Sequence, residues 1–531
     1  MTSTNSIIKK PIIWTISGSD CSGGAGIAAD IKTGHGLGVE VCTLITANTV
    51  QNSNELVSIN PVSIDILQQQ VAVLINDKPP AVIKIGLLAE LAQVLWLSTT
   101  LQALKLKWPQ LIVVYDPVGQ ASVGGKFNTL SVAELTPLLK RVDVLTPNIN
   151  EAVFLTNASL HTQTDPLSIE TLAKSLYQKF AINSIIIKGG HSNNSDHCDD
   201  YCYHQLNQIK QDNQQKTQLS ITYQLSSPRL NTQYSHGGGC SFASAIGSFL
   251  AKSYLVRDAF TLAKAFINQG LAATVPLSSE QKHNDYGAFQ PLGWPKKFDI
   301  FPTVVDDYNQ QNLGLSTFES LNLDDGKLGL YPVINSVYWL KRLLPLGLNI
   351  IQLRVKNLAD DQLEKVIIEA INLAKNYGTR LFINDYWQLA IKHGAYGVHI
   401  GQEDLHQADL GAIQQAGLRL GISTHGCYEF LLAQQLQPSY LAIGAIFPTK
   451  TKDMTGQVQG VENLRQLLML RLEEKMPSIP VVAIGGINVK RAPAVLATSV
   501  DSIAVVTAIT EAENPEDAVT TLQNLIKAHS S

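Results

Sequence analysis

Short, mostly apolar runs rich in β-branched residues recur through the first half of the chain, at 12–16, 41–45, 82–85, 111–115, 142–145 and 184–187. Gly, Pro, Asn or Asp bound these runs, and helical patterns lie between several of them. Runs that are apolar throughout, rather than alternating, predict strands buried on both faces, hence a largely parallel sheet of an α/β fold. The stretch 191–224 breaks the pattern. It is polar and glutamine-rich (Gln205, Gln208, Gln211, Gln214, Gln215), which predicts a long hairpin or a surface loop. Helical patterns return at 242–251 and 257–275.

From 296 to 326 periodicity is lost, and Asp306, Asp307 and the run 309–312 are polar, which predicts a linker. Beyond it the alternation restarts, with eight short apolar runs at 330–334, 350–353, 381–384, 397–400, 418–422, 440–446, 481–484 and 502–506. Amphipathic stretches such as 358–377 and 461–474 separate most of them. Eight strand–helix units in roughly 205 residues predict a compact (β/α)8 TIM barrel. The expected organisation is therefore a domain at 1–295, a linker at 296–326 and a barrel domain at 327–531.

The 531 residues suit two large domains, and 45% hydrophobic with 16% charged residues is the composition of an ordinary globular protein. A net charge of −4 gives no basic surplus for nucleic acid. The six cysteines (Cys21, Cys42, Cys198, Cys202, Cys240, Cys427) lack the spacing of a disulfide framework. The apolar run at 11–16 is too short for a signal-peptide core, and no run of about 18 apolar residues predicts a spanning helix. A reduced, cytoplasmic protein is expected. Small-molecule substrates and a homodimer are the expected partners, with no nucleic acid and no membrane.

Two glycine-rich turns carry candidate chemistry. Ser17-Gly18-Ser19-Asp20-Cys21-Ser22-Gly23-Gly24-Ala25-Gly26 follows a predicted strand and opens a predicted helix. Glycines allow close backbone approach, and a helix start supplies N–H groups. His236-Gly237-Gly238-Gly239-Cys240-Ser241 repeats the arrangement, with successive N–H groups available as an anion hole. A thiol at a helix N-terminus is expected to have a lowered pKa and to serve as base or nucleophile. A plain strand–helix turn and a tight helix start are the structural alternatives.

Those segments, with Ala29-Asp30-Ile31-Lys32-Thr33, Ala47-Asn48-Thr49-Val50-Gln51-Asn52, Lys84-Ile85-Gly86-Leu87-Leu88, Asp116-Pro117-Val118, Thr146-Pro147-Asn148-Ile149-Asn150-Glu151 and Ile187-Lys188-Gly189-Gly190, closely resemble hydroxymethylpyrimidine (phosphate) kinases of the ribokinase-like family over about 10–294. The resemblance implies an α/β sandwich that phosphorylates the pyrimidine with ATP. Gly18, Asp30, Gln51, Leu87 and Val118 would hold the pyrimidine, and Cys240 would be the base. Asp116, Asn148 and Glu151 would lie near Mg2+ and the phosphates, with Lys188, Gly237, Gly238 and Gly239 on the nucleotide. Family members usually carry threonine where Gly238 stands, so one hydroxyl contact is missing, and methionine is common at Leu87.

In the second half, polar residues gather where the predicted strands end. Alternation puts Gln352, Arg354 and Lys356 on one side, two cations that suit a polyanion. Asp385 and Asp404 on neighbouring strands suit magnesium bridging a diphosphate. Each alone could be a cap or a solvated loop; together they mark the C-terminal face where barrel sites are built. The segments Gln352-Leu353-Arg354-Val355-Lys356, Asn384-Asp385-Tyr386-Trp387, Gly401-Gln402-Glu403-Asp404, Ser423-Thr424-His425, Thr449-Lys450-Thr451-Lys452 and Gly485-Gly486 resemble thiamine phosphate synthases over about 328–528. The resemblance implies that Gln352, Leu353, Arg354, Val355, Lys356, Asn384, Ser423 and Lys452 bind the pyrimidine diphosphate and that Asp385 and Asp404 hold Mg2+. Thr449, Lys450, Thr451, Gly486, Val506 and Thr507 would bind thiazole phosphate. Arg354, Ser423 and Lys452 would serve catalysis by stabilising the departing diphosphate, and the 449–457 loop is expected to close as a lid.

His197, Cys198, Cys202 and His204 have some metal-site character but read better as a surface loop, and Tyr386-Trp387 as barrel packing. Three alternatives to a fully bifunctional enzyme remain: an impaired kinase half because of Gly238, a pyridoxal-type kinase specificity, and a precursor-binding regulator without catalysis. Lys452→Ala is expected to cut synthase turnover sharply in a steady-state assay; unchanged turnover would reject the role given to Lys452.

Overall fold

The computed structural model describes residues 9–529 apart from 53–54, 120–129, 159–165, 191–195, 210–215, 231, 233–235, 275–288, 313, 322, 324–327, 357, 450–457 and 472–478. The chain folds as two compact units, Met1–Pro295 with Asp299–Asp306 and Lys296–Phe298 with Asp307–Ser531.

The first unit is built on a ten-stranded sheet, β1 (Ile12–Asp20), β2 (Glu40–Gln51), β3 (Leu56–Pro61), β4 (Val82–Ile85), β5 (Ile112–Tyr115), β6 (Val144–Leu145), β7 (Ser184–Ile187), β8 (His197–Ile209), β9 (Lys216–Pro228) and β10 (Thr303–Val305), in the order 10-9-8-7-6-5-4-1-2-3. Pairing is parallel from β2 through β1 and β4 to β7, and antiparallel for the outer strands. The winding direction reverses between β1 and β4, so a crevice opens beyond their C-terminal ends. Every residue of β4 is buried, including Lys84, as its apolar run predicts. The helix Gly238–Ala251 packs against β4, β5 and β1 and delivers its N-terminus to the same crevice.

The polar stretch read as a hairpin or surface loop is a long antiparallel hairpin, β8–β9, that extends the sheet. The expectation of a surface loop at His197–His204 is corrected. Cys202 lies opposite Ile186 in the sheet interior, and His204 Nδ1 meets Ser184 Oγ at 2.9 Å. Among the described residues no three His, Cys, Asp or Glu side chains gather to hold a metal, and no helix is long and apolar enough to cross a membrane.

The stretch expected to be a linker is also ordered in part. β10 adds the tenth strand to the first sheet, against Gln224–Ser226. Further on, Phe318 and Leu321 are buried on the barrel, where Phe318 N–H donates to Gln437 O (3.1 Å) and Tyr396 Oη to Leu321 O (2.6 Å). A three-residue strand and a strap held by such bonds leave no hydrophobic period to read.

The second unit is a closed barrel of eight parallel strands, β11 (Gly329–Ile334), β12 (Ile350–Leu353), β13 (Arg380–Asn384), β14 (Gly397–Ile400), β15 (Arg419–Thr424), β16 (Tyr440–Ile443), β17 (Val481–Ile484) and β18 (Ser502–Val505). Alternation carries each strand from packing to chemistry. Ile350 and Phe382 belong to the buried interior, and two residues on stand Gln352 and Asn384. Tyr331 and Tyr440 fill the centre. Gly421 makes room for Tyr440: a Cβ there would stand 2.2 Å from its ring. Gly421→Ala is therefore expected to cost the barrel about 1–3 kcal/mol by overpacking, read as a lower urea midpoint for that unit; an unchanged midpoint would mean the ring is free to shift.

Candidate active sites

In the first unit the crevice is organised by three buried carboxylates. Asp20 ends β1 and gathers the first glycine turn around itself. Its Oδ1 accepts from Ser22 N (2.8 Å) and Ser22 Oγ (2.7 Å), and its Oδ2 from Gly24 N (3.2 Å), Ala25 N (2.9 Å) and His236 Nε2 (3.1 Å). Burial opposes its ionisation, but these bonds and one from Gln51 outweigh it and hold the carboxyl well below the usual range. The turn's N–H groups at Gly24 and Ala25 are thus committed internally and are not offered to a phosphate. The second turn leans directly on the first: a Cβ at Gly237, which has φ +78°, would stand 1.8 Å from Gly24 O.

Asp30 sits deeper. Its oxygens accept from Lys84 Nζ (2.8 and 3.0 Å), Ser244 Oγ (2.5 Å) and the Thr15 hydroxyl. Burial opposes the Lys84 charge, yet Asp30 and, further off, Cys240 and Asp116 hold its pKa above the ordinary lysine value. Three donor groups thus meet a carboxylate that is 2% exposed, and Asp30 braces the site from below. Gly18 and Leu87 are in contact near the C-terminal ends of β1 and β4. Leu87 Cδ2 would be 2.8 Å from a Cβ at Gly18, so only glycine admits that side chain, and Val118 follows Asp116 half-buried.

Asp116 ends β5 and takes Lys188 Nζ at 2.6 Å. Asn148 and Glu151 form a reciprocal cap on the helix Ile149–Thr156, with Glu151 Oε2 accepting from Asn148 N at 2.7 Å. Burial raises the Glu151 carboxyl to about 7, with Lys188 opposing and Asp116 adding to the rise. Gly239 faces the same group, its absent Cβ 3.5 Å from Lys188 Nζ and 3.9 Å from Asp116 Oδ2. Asp116, Glu151, Lys188 and Gly237–Gly239 therefore converge, although their numbers span more than a hundred residues. Gly238 has nothing within 4 Å of its Cβ direction, so the missing threonine leaves no packing defect.

In the barrel, Asp385 follows β13 in the left-handed region (φ 67°), its N–H on His399 O at 2.9 Å and its carboxylate taking the Asn384 amide. Its pKa is raised by burial and by the Asp404 carboxylate, while Arg354, Gly401 N–H and Lys356 pull the other way. Two oxygen-donor carboxylates this near each other, short of full compensation, form a donor set that fits Mg2+. Gln352, Leu353 and Val355 are buried, Arg354 is half-buried and Lys356 exposed. Ser423 Oγ meets His399 Nε2 at 2.8 Å. Gly486 sits under the strand-six loop, where a Cβ would meet Pro448 O at 2.7 Å, two residues from Asn488 and next but one to Thr449 through Pro448. Val506 caps the turn Thr507–Thr510 at the end of β18. Lys450, Thr451, Lys452 and the rest of 450–457, where a closing lid is expected, lie outside the described residues.

A family model for phosphomethylpyrimidine kinase matches residues 20–285, half of the chain, and one for thiamine monophosphate synthase matches 330–509. A thiamine-phosphate synthase of Yersinia pestis is 56% identical over 201 residues, 38% of this chain and 91% of that protein. One from Photorhabdus laumondii is 55% identical over the same length, again 91% of that protein. The chain belongs to both families, one in each half. It is a phosphomethylpyrimidine kinase domain fused to a thiamine-phosphate synthase domain, a bifunctional transferase of thiamine biosynthesis. A solved phosphomethylpyrimidine kinase from Clostridium difficile is 25% identical, covering 49% of this chain and 99% of that one, with a TM-score of 0.37.

Sequence reasoning missed Asp20 and His236 as the clasp of the kinase half, Lys84 as a buried cation, and His399, Tyr331 and Tyr440 in the synthase half. The Gly-Ser-Asp and Val-His-Ile contexts held the first and fourth in plain view, but neither residue type announces an internal partner.

The expectation of a lowered thiol pKa at Cys240 is corrected. Burial pushes the thiol up to about 11; Lys84 pulls it down, but Asp116 and Asp30 push it up again. At neutral pH the free kinase half holds a protonated thiol. Alkylation of the Cys240 peptide by iodoacetamide, followed by mass spectrometry, is expected to rise about tenfold per pH unit through pH 9; a plateau near pH 8 would contradict the raised value.

Proposed function

We propose that the first unit uses ATP to phosphorylate 4-amino-5-hydroxymethyl-2-methylpyrimidine and then its monophosphate, and that the barrel joins the resulting diphosphate to 4-methyl-5-(2-phosphoethyl)thiazole, yielding thiamine phosphate and diphosphate. The observation that supports the reading is a cluster of cations and glycine backbone in each unit, Lys188 with Gly237–Gly239 in one and Arg354 with Lys356 beside Asp385 in the other.

In the kinase half, phosphoryl transfer needs positioning and charge neutralisation more than covalent chemistry. Gly237–Gly239 offer backbone donors to the phosphates, Lys188 a cation, and Asp116 and Glu151 oxygen ligands. Cys240 takes the hydroxymethyl proton. Because its thiol starts protonated, the sulfur must first lose its own proton to solvent, and Lys84 is the fixed positive charge that favours the thiolate. Gly18, Asp30, Gln51, Leu87 and Val118 hold the pyrimidine.

In the synthase half, Gln352, Asn384 and Ser423 orient the pyrimidine diphosphate, and Arg354, Lys356 and Lys452 take up charge as diphosphate departs. Asp385 and Asp404 would hold magnesium, which supplies further charge neutralisation to the leaving group. Thr449, Thr451, Gly486, Val506 and Thr507 place the thiazole phosphate for capture, with water excluded. Use of ATP and phosphorylated intermediates supports a cytoplasmic location, and a homodimer is the proposed assembly.

The test is product analysis with ATP, magnesium, hydroxymethylpyrimidine and thiazole phosphate together. Thiamine phosphate, ADP and diphosphate are expected. No ATP consumption would reject the kinase reading, consumption without thiamine phosphate would reject the synthase reading, and preferential phosphorylation of pyridoxal would reassign the first half.

A further inference from the structure

Five polar side chains run through the barrel interior in an unbroken series. Gln352 Nε2 donates to Tyr331 Oη (3.3 Å), Tyr331 Oη meets Tyr440 Oη (2.7 Å), Tyr440 Oη meets His399 Nδ1 (2.7 Å), and His399 Nε2 meets Ser423 Oγ (2.8 Å). They come from β12, β11, β16, β14 and β15. Both tyrosines and His399 are buried among aromatic rings, with Tyr440 stacked on His399. Ser423 is the partly exposed member, its backbone carbonyl held by Gln402 Nε2 at 2.6 Å.

We infer that this series is a one-way hydrogen-bond chain that fixes Ser423 as a hydrogen-bond donor to a lone pair of the pyrimidine diphosphate. The inference rests on the synthase reading above. The direction follows from counting protons. The amide nitrogen of Gln352 can only donate, so Tyr331 accepts there and its single proton goes to Tyr440. Tyr440 then gives its own proton to His399 Nδ1. Reversing the series would set the Tyr331 proton against the Gln352 N–H in a buried place, at the cost of an unmade bond. With Nδ1 accepting from Tyr440, the ring is neutral and carries one proton. That proton is on Nε2 and donates to Ser423 Oγ. The Ser423 hydrogen is what the chain leaves over for a ligand. Tyr331, Tyr440 and His399 are thus positioning residues, acting through Ser423.

Two measurements on the full-length protein test this. The first is nitrogen-15 NMR of histidine-labelled protein, with the His399 resonances assigned by their loss in His399→Gln. A single neutral Nε2–H tautomer is expected across roughly pH 5.5–8.5. An Nδ1–H tautomer, or a ring that gains charge in that range, would overturn the inference. The second is steady-state kinetics of the synthase step. His399→Leu should lower kcat/KM for the pyrimidine diphosphate by about tenfold or more, leaving KM for thiazole phosphate unchanged. His399→Gln should recover much of the loss, because its amide N–H stands in for Nε2–H. Tyr440→Phe should release the tautomer and give a similar loss. Equal losses in His399→Leu and His399→Gln, or a wild-type tautomer and rate in Tyr440→Phe, would overturn it. Wild-type protein inactive in the synthase assay would instead reject the synthase reading, and the NMR result stands apart from that outcome.

Discussion

A carboxylate removed from water must be met by donors or by positive charge, and this requirement shapes both halves of the molecule. In the kinase half it is met from within. Asp20 draws a glycine turn around itself, Asp30 locks Lys84 and the helix Gly238–Ala251 to the sheet through Ser244, and Asp116 takes Lys188. In the synthase half it is only partly met: Asp385 stands near Asp404 with its pKa raised. The contrast separates scaffold from site. Asp20 and Asp30, each met by several donors, hold the fold, and the Asp385–Asp404 pair is left short of compensation.

The same requirement explains how much could be read from the chain alone. Strands buried on both faces write themselves as apolar runs, and 82–85, 350–353, 397–400 and 481–484 coincide with β4, β12, β14 and β17. The closed barrel followed from counting such runs. The outer strands did not follow, because β8 and β9 are polar and β10 is three residues long. Periodicity reports burial against a core, and edge strands and straps have little of it.

At the sites, motifs marked the turns and strand ends, whereas the residues that meet each other there were not legible. The bracing of Asp30 was not legible because a short motif cannot reveal that three donor groups reach it from β1, β4 and a distant helix. Cys240 was read as acidic because the helix terminus is visible in sequence and the surrounding burial is not. Tyr331, His399 and Tyr440 looked like ordinary members of buried strands, and only their alternation into one lumen makes them a series.

Gly24 and Gly237 meet backbone to backbone, with no side chain interposed, and the Asp20–His236 contact lies across the same junction. Lateral sliding there is blocked by main-chain atoms, which cannot change rotamer. The two glycine turns are therefore mechanically one jaw: neither can swing open while the other stays still.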